Sequence, residues 1–351
     1  MSLEQRAATP DATAPYPLRV AAIGIRLTAD EPLTLPDHPG STLRGAFGHA
    51  LLAVGCMQRA GGAACLAVGG DTDGPRDGPR CRENAEAVRE GRASRCAYGF
   101  LFETPPPPHR PRRDSQVPLP HPYVLRPPAG RTYQPGEGLE LRVHLLGSAI
   151  RYLPAVIEAA SLLGHRGLGS GRATSTVRDV WELSPLGADV RPLPPGAGPA
   201  ALVLTAGWDE AIAIARTLPP RALAVRFLTP THLVRDRTPL QRPEFGELMR
   251  ALFRRMSLLQ VACGDGSSSA PFAAPLAGTG GVRLAGWDGG WDGWDRYSSR
   301  QDRHLRVDGL VGTAHYEGDL APFLPYLVLG QALHVGKACT FGEGQYVLGS
   351  G

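Results

Sequence analysis

His334-Val335-Gly336-Lys337-Ala338-Cys339-Thr340-Phe341-Gly342-Glu343-Gly344-Gln345-Tyr346 is the stretch on which the fold turns. Before it, Leu320 to Val335 reads as a helix, with Pro322 and Pro325 confined to the first turns, where proline is tolerated. After it, Gln345 to Leu348 reads as a short strand. The order helix, glycine turn, strand occurs once more. Ile150 to Gly164 reads as a helix, His165 to Arg172 as a glycine turn, and Ser175 to Leu183 as a strand. Two copies of one unit mark an internal duplication.

Working outward, Ala222 to Leu228 is an apolar strand ended by Thr229-Pro230-Thr231. Glu244 to Cys263 carries Phe245, Leu248, Met249, Leu252 and Phe253 at helical spacing. Val282 to Trp287 and Arg303 to Tyr316 read as strands, and the turn dipeptides from Trp287 to Asp295 read as the connection. The order β-α-β-β-α-β is that of a ferredoxin-like unit. In the first half, Leu18 to Leu27 is a strand, Ser41 to Cys56 a helix capped by Ser41 or Thr42, and Leu139 to Leu146 a strand.

The expected fold is therefore α+β, with two tandem ferredoxin-like (βαββαβ, RRM-like) domains that carry glycine-rich loops. The N-terminal domain spans residues 17–190, with a cysteine-containing insertion at 57–96 and a proline- and arginine-rich loop at 104–122. The C-terminal domain spans residues 200–351, with its glycine-rich loop at 336–344. A proline-rich linker from Pro192 to Pro199 separates the halves, and 351 residues suit two cores.

Composition narrows the function classes. With 42% hydrophobic and 20% charged residues, the chain reads as globular. No run of 18 apolar residues occurs, and the segment up to Tyr16 is polar, so a cytoplasmic protein without a membrane partner is expected. A net charge of +4 permits a polyanion partner. Of the 37 Lys and Arg residues, Lys337 is the single lysine. One ammonium on a loop whose glycines admit close backbone approach suits a phosphate or phosphodiester. Gly330 to Lys337 does not make a nucleotide-binding P-loop. The spacing is wrong, Ala338 replaces the required Ser or Thr, and the turn follows a helix.

Between its helix and strand, this turn resembles the glycine-rich loop of the RAMP superfamily of CRISPR-associated proteins. Phe227-Leu-Thr-Pro-Thr-His-Leu-Val234, Phe253-Arg-Arg-Met-Ser-Leu-Leu259, Arg296-Tyr-Ser-Ser-Arg-Gln301 and Gly309-Leu-Val-Gly312 look like the C-terminal domain of its pre-crRNA processing endoribonucleases. Pro325 to Gly344 does too. In the first half, Leu43-Arg-Gly-Ala-Phe-Gly-His49 and Cys96-Ala-Tyr-Gly-Phe-Leu-Phe-Glu103 are similar. The resemblance covers most of residues 40–350. It implies two ferredoxin-like domains, CRISPR repeat RNA as substrate, and cleavage that needs no metal; retention of the crRNA afterwards is a further expectation. The same fold without catalysis, as a crRNA-binding RAMP subunit of a CRISPR effector complex, is the alternative, and effector subunits are then further partners.

Metal-free cleavage uses the RNA's own 2′-hydroxyl as nucleophile and leaves a 2′,3′-cyclic phosphate and a 5′-hydroxyl. It requires a general base and a cation or N–H groups at the phosphorane. Histidine suits the base near neutral pH. The resemblance points first to His49 in the first helix, and His38 in the loop before it is second; His334, beside the glycine turn, is expected to be structural or to contact RNA. Phosphate contacts are expected from Arg44, Arg151, Arg166 and Arg172 and from Arg296 and Arg300, because guanidinium binds phosphate bidentately and stacks on bases. In the glycine loop, Gly336, Lys337, Thr340, Phe341, Gly342 and Gly344 are expected to meet RNA.

Cys56, Cys65, Cys81 and Cys96 are separated by eight, fifteen and fourteen residues, with no Cys-x-x-Cys pair. Four cysteines in and beside one polar insertion nevertheless favour a structural metal as a staple, zinc first and an iron–sulfur cluster second. No cofactor is expected for catalysis.

Overall fold

In the computed structural model, the described residues are 15–55, 96–104, 117–169, 171–264, 272–298 and 303–350. The fold is mixed α+β, built on two antiparallel sheets. In the first half, β1 (Val20–Ala29) leads to α1 (Gly40–Gly55), then to β2 (Tyr123–Arg126) and β3 (Gly138–Leu146). α2 (Leu153–Arg166), β4 (Ser175–Leu183) and β5 (Val190–Pro192) follow. The sheet order is β2-β3-β1-β4-β5. On β1, Ile23, Ile25 and Leu27 are buried on one face while Arg26 is exposed on the other, as a one-sided strand requires. α1 buries Leu43, Phe47, Ala50 and Leu51, a helical stripe that faces the sheet and α2.

The second half begins with α3 (Trp208–Ala215) and β6 (Ala222–Thr231). It continues with α4 (Phe245–Cys263), β7 (Val282–Ser298), β8 (Arg303–Gly318), α5 (Leu324–Leu333) and β9 (Tyr346–Ser350). The sheet order is β7-β8-β6-β9. α4 buries Phe245, Leu248, Met249, Leu252, Phe253, Met256 and Leu259 along one stripe, and α5 is buried on nearly every side. One hydrophobic core runs through both halves. Polar bonds also cross between them: the Tyr16 hydroxyl donates to the Met256 carbonyl at 2.8 Å, and His144 Nδ1 to the Ala332 carbonyl at 2.9 Å.

Three elements differ from the sequence reading. Trp287 to Asp295, expected as a connection, is strand throughout, and β7 pairs with β8 out to Ser298 and Arg303. Its glycines suit the tight pairing: a Cβ on Gly289 would lie 2.4 Å from the Val311 carbonyl oxygen. Tyr123–Arg126, directly after the proline- and arginine-rich loop, is a strand that the sequence reading does not assign. Ala273–Ala277 forms a short helix between α4 and β7, where the sequence reading places no element.

Candidate functional site

The glycine loop after α5 is a compact turn, not an open strap. Val335 N–H donates to the Gly344 carbonyl at 2.9 Å, and Gly344 N–H to the Pro230 carbonyl at 3.1 Å. The Thr229 hydroxyl donates to the Gly342 carbonyl and accepts from Gln345 N–H. Gly344 has φ of 71°, and a Cβ there would stand 1.8 Å from the Val335 carbonyl oxygen, so only glycine fits.

This loop presses on the first half. At the start of α1, a Cβ on Gly40 would meet the Phe341 carbonyl oxygen at 2.0 Å. One turn on, the Arg44 guanidinium carbon lies 5.3 Å from the Phe341 ring centre and 4.9 Å from that of Phe102. His38, just before α1, stacks on Trp294 of β7, with ring centroids 5.1 Å apart and planes 2° from parallel. Trp294 Nε1 donates to Glu343 Oε1 at 3.1 Å. Burial pushes the Glu343 carboxyl up to about 7; the Trp294 N–H opposes the rise and Asp292 adds to it. Arg44 Nε, His334 Nε2 and Glu343 Oε2 are buried without a hydrogen-bond partner. Orphaned polar atoms and a carboxyl poised near neutrality, gathered at one loop, are the features of a ligand site.

Residues 225–346 match the family model of the CRISPR-associated endoribonuclease Cas6, and residues 18–196, half of the chain, match the N-terminal-domain family AF_1859_N. The chain belongs to the Cas6 family of CRISPR-associated, RAMP-type repeat-RNA endoribonucleases. Solved Cas6 structures share the fold. A Thermus thermophilus Cas6 product complex is 17% identical, with a TM-score of 0.51 over 94% of this chain and 99% of that one. A partial Cas6-RT-Cas1–Cas2 complex is 11% identical, with a TM-score of 0.53 over 96% of this chain and 47% of the longer one. None of the curated proteins compared matches the chain. Family membership carries binding and processing of CRISPR repeat RNA.

Against this Cas6 frame, the expected site residues divide into groups. Arg44 meets Phe341 of the loop, His38 stacks on Trp294, whose indole reaches Glu343 of the loop, and Gly342 lies against Leu125 and Pro127. His49 is exposed on α1, and its carbonyl accepts from Arg166 Nη1 at 3.4 Å, which joins it to the first glycine turn. Arg172 is exposed in that turn with φ of 52°. Arg151 is exposed before α2, its guanidinium over Phe100 and Tyr152. Gly336 and Thr340 are half-buried in the loop, Gly344 is buried, and Lys337 is exposed. Arg296 belongs to β7, and Arg300 lies outside the described residues. His334 is fully buried and donates from Nδ1 to the Glu343 carbonyl. Burial first, then the Arg126 and His144 charges, hold it well below the ordinary histidine range.

Of the cysteines, Cys56, Cys65 and Cys81 lie outside the described residues. Cys96 is buried and its Sγ accepts the Gly99 amide at 3.5 Å. Among the described residues no cluster of potential metal ligands occurs, and no helix is long and apolar enough to cross a membrane.

One constellation escaped the sequence. His232, just after β6, donates from Nδ1 to Asp308 Oδ1 at 2.9 Å, while its Nε2 lies 3.0 Å from Lys337 Nζ. The histidine was visible in the Thr-Pro-Thr-His stretch, but its partners stand 76 and 105 residues away. Elsewhere, on the outer face of the first sheet, Arg26, Arg142, Arg178 and Arg191 line a groove of about 930 Å³ that shares no residue with the loop.

Proposed function

We propose that the protein cuts CRISPR repeat RNA without a metal ion. A base removes the proton of the 2′-hydroxyl, the oxygen attacks the adjacent phosphorus, and the bond to the 5′-oxygen breaks as that oxygen takes up a proton. The products carry a 2′,3′-cyclic phosphate and a 5′-hydroxyl. The observation that carries this reading is the cluster of His38, Trp294 and Glu343 at the glycine loop, beside Arg44. His38 is the favoured base because its ring is held by the stack, whereas His49 projects from α1 into solvent. Arg44 supplies positive charge for the phosphorane, and the glycine loop supplies close backbone approach.

Two tandem ferredoxin-like domains, at 17–190 and 200–351, are the architecture we assign. The matching orders β2-β3-β1-β4 and β7-β8-β6-β9 support it. For the insertion we propose a structural metal held by Cys56, Cys65, Cys81 and Cys96, zinc before an iron–sulfur cluster. The buried Cys96 thiol, already receiving an amide N–H, is compatible with a ligand role. Four thiolates would leave no open position, so this metal would have no part in cleavage. Subunits of a CRISPR effector complex are proposed recipients of the retained crRNA.

Incubation with CRISPR repeat RNA in excess EDTA tests the reading. One cut that leaves a cyclic phosphate supports it. Salt-sensitive binding without a cut makes the protein an RNA-holding subunit, and no binding overturns the RNA assignment.

A further inference from the structure

The His232–Asp308–Lys337 constellation has a definite polarity. Asp308 Oδ1 and the Asp308 carbonyl both face His232 Nδ1, at 2.9 and 3.1 Å, so that nitrogen carries the proton. His232 Nε2 is then a lone pair, and the atom facing it is the Lys337 ammonium at 3.0 Å, which must donate. The imidazole is wedged by the edge of Trp291, with ring centroids 5.7 Å apart. The second oxygen of Asp308 is taken by Arg306 Nε at 3.4 Å, which fixes the carboxylate as well. Backbone contact completes the arrangement: a Cβ on Gly336 would lie 2.8 Å from the His232 carbonyl oxygen.

A lysine side chain loses much rotamer freedom when it is ordered, so a partner that holds it in advance removes that cost from ligand binding. Here one of its three N–H groups is spent on a neutral acceptor, so the charge stays whole. The other two remain, on an exposed residue that forms no ion pair among the described residues. A cation ordered by a neutral partner and left without a carboxylate is suited to an external anion. Trp291 stands on the same side of β7 as Asp308 of β8, whereas Trp294 points to the other side, toward Glu343 and His38. The β7–β8 hairpin therefore separates this arrangement from the His38 cluster.

We propose that His232 and Asp308 hold Lys337 as a preformed ligand for a phosphodiester of the bound RNA, on the side of the β7–β8 hairpin away from His38. His232 and Asp308 are positioning residues that act through the lysine. This rests on the RNA reading above.

A double-mutant cycle on the affinity for CRISPR repeat RNA, measured across a salt series, tests it. Lys337→Ala should weaken binding roughly tenfold and reduce the salt slope by about 0.7, the value of one single-strand phosphate contact. His232→Ala should weaken binding by several fold with the slope unchanged, because the charge remains. The double variant should bind no worse than Lys337→Ala alone. His232→Gln, whose amide oxygen can accept from the ammonium, should recover part of the loss and serves if the alanine variant folds poorly. Independent losses that add, or a His232→Gln variant as weak as His232→Ala, overturn the proposal while leaving the RNA reading intact. A wild-type protein that does not bind the RNA overturns both.

Discussion

His38 and Trp294 lie face to face, 5.1 Å apart and 2° from parallel, although one precedes the first helix and the other sits in a strand of the second half. The orientation of the favoured base thus depends on the opposite half of the molecule, and Glu343 fixes the indole in turn. His38→Ala should lower the cleavage rate by roughly 10²- to 10⁴-fold with RNA affinity little changed. Trp294→Phe keeps a ring for the stack but loses the N–H to Glu343, so it should lie between wild type and Trp294→Ala. Single-turnover cleavage with saturating protein reads all three. Equal rates in wild type and Trp294→Ala would remove the indole from the mechanism.

Glu343 should make stability depend on pH. Its carboxyl ionises near 4.5 when the chain is unfolded and at about 7 when folded, because burial disfavours the charged form. Between those values the unfolded chain gives up the proton while the folded chain keeps it. Stability is therefore complete below 4.5 and falls as pH rises through 7, by on the order of 3 kcal/mol. Glu343→Gln, which mimics the protonated acid, should abolish that loss. Urea midpoints at pH 5 and pH 8 read the difference, and a variant gaining nothing at pH 8 would refute the assignment.

The parts of this arrangement differ in how far the sequence exposes them. Helix, glycine turn and strand from Leu320 to Leu348 are legible because local chemistry decides them: prolines in the first turns, an apolar run, glycines where φ turns positive. The four-residue β2 is not, since Pro122 and Pro127 bracket it and its partner β3 lies beyond a turn. Trp287 to Asp295 misleads for the opposite reason. Its Asp-Gly and Gly-Gly pairs signal turns locally, but pairing with β8 overrides them. His38 could be singled out as a histidine near the first helix, yet its stack on Trp294 is a tertiary fact. The Asp308–His232–Lys337 arrangement draws on three elements, and no spacing in one chain reveals it.

Two buried histidines set the acid limit of the fold. Burial, aided by the charge of Arg126, lowers His144 from 6.5 to about 3, and the Ala332 carbonyl that accepts its Nδ1–H belongs to the other half. Below pH 6.5 the unfolded chain takes up a proton that the folded chain refuses. This contribution is complete above 6.5 and is lost as pH falls toward 3, at roughly 2 kcal/mol by pH 5. His334 shifts in the same direction and adds to the loss. Glu343 works against it over part of the range, so the Glu343→Gln background isolates the histidines. There, urea midpoints should drop steadily from pH 6.5 to pH 5, and a flat profile would mean that His144 is protonated in the folded protein.

Gly40 tests whether the contact between α1 and the glycine loop matters for chemistry. A methyl group at this position would stand 2.0 Å from the Phe341 carbonyl oxygen, so α1 and the loop must move apart. Displacement of a catalytic group by ~1 Å can cost about 10²-fold in rate, and His38 and Arg44 flank this point on the chain. Gly40→Ala should therefore cut slowly, by roughly 10²-fold, while still binding RNA. Gly45, in the same helix, has nothing within 4 Å of where its Cβ would be. Gly45→Ala should gain roughly 0.5–1 kcal/mol of stability, as an exposed helix position that tolerates alanine does, and leave cleavage untouched. Equal cleavage by the two variants would mean that RNA chemistry does not require the loop against α1.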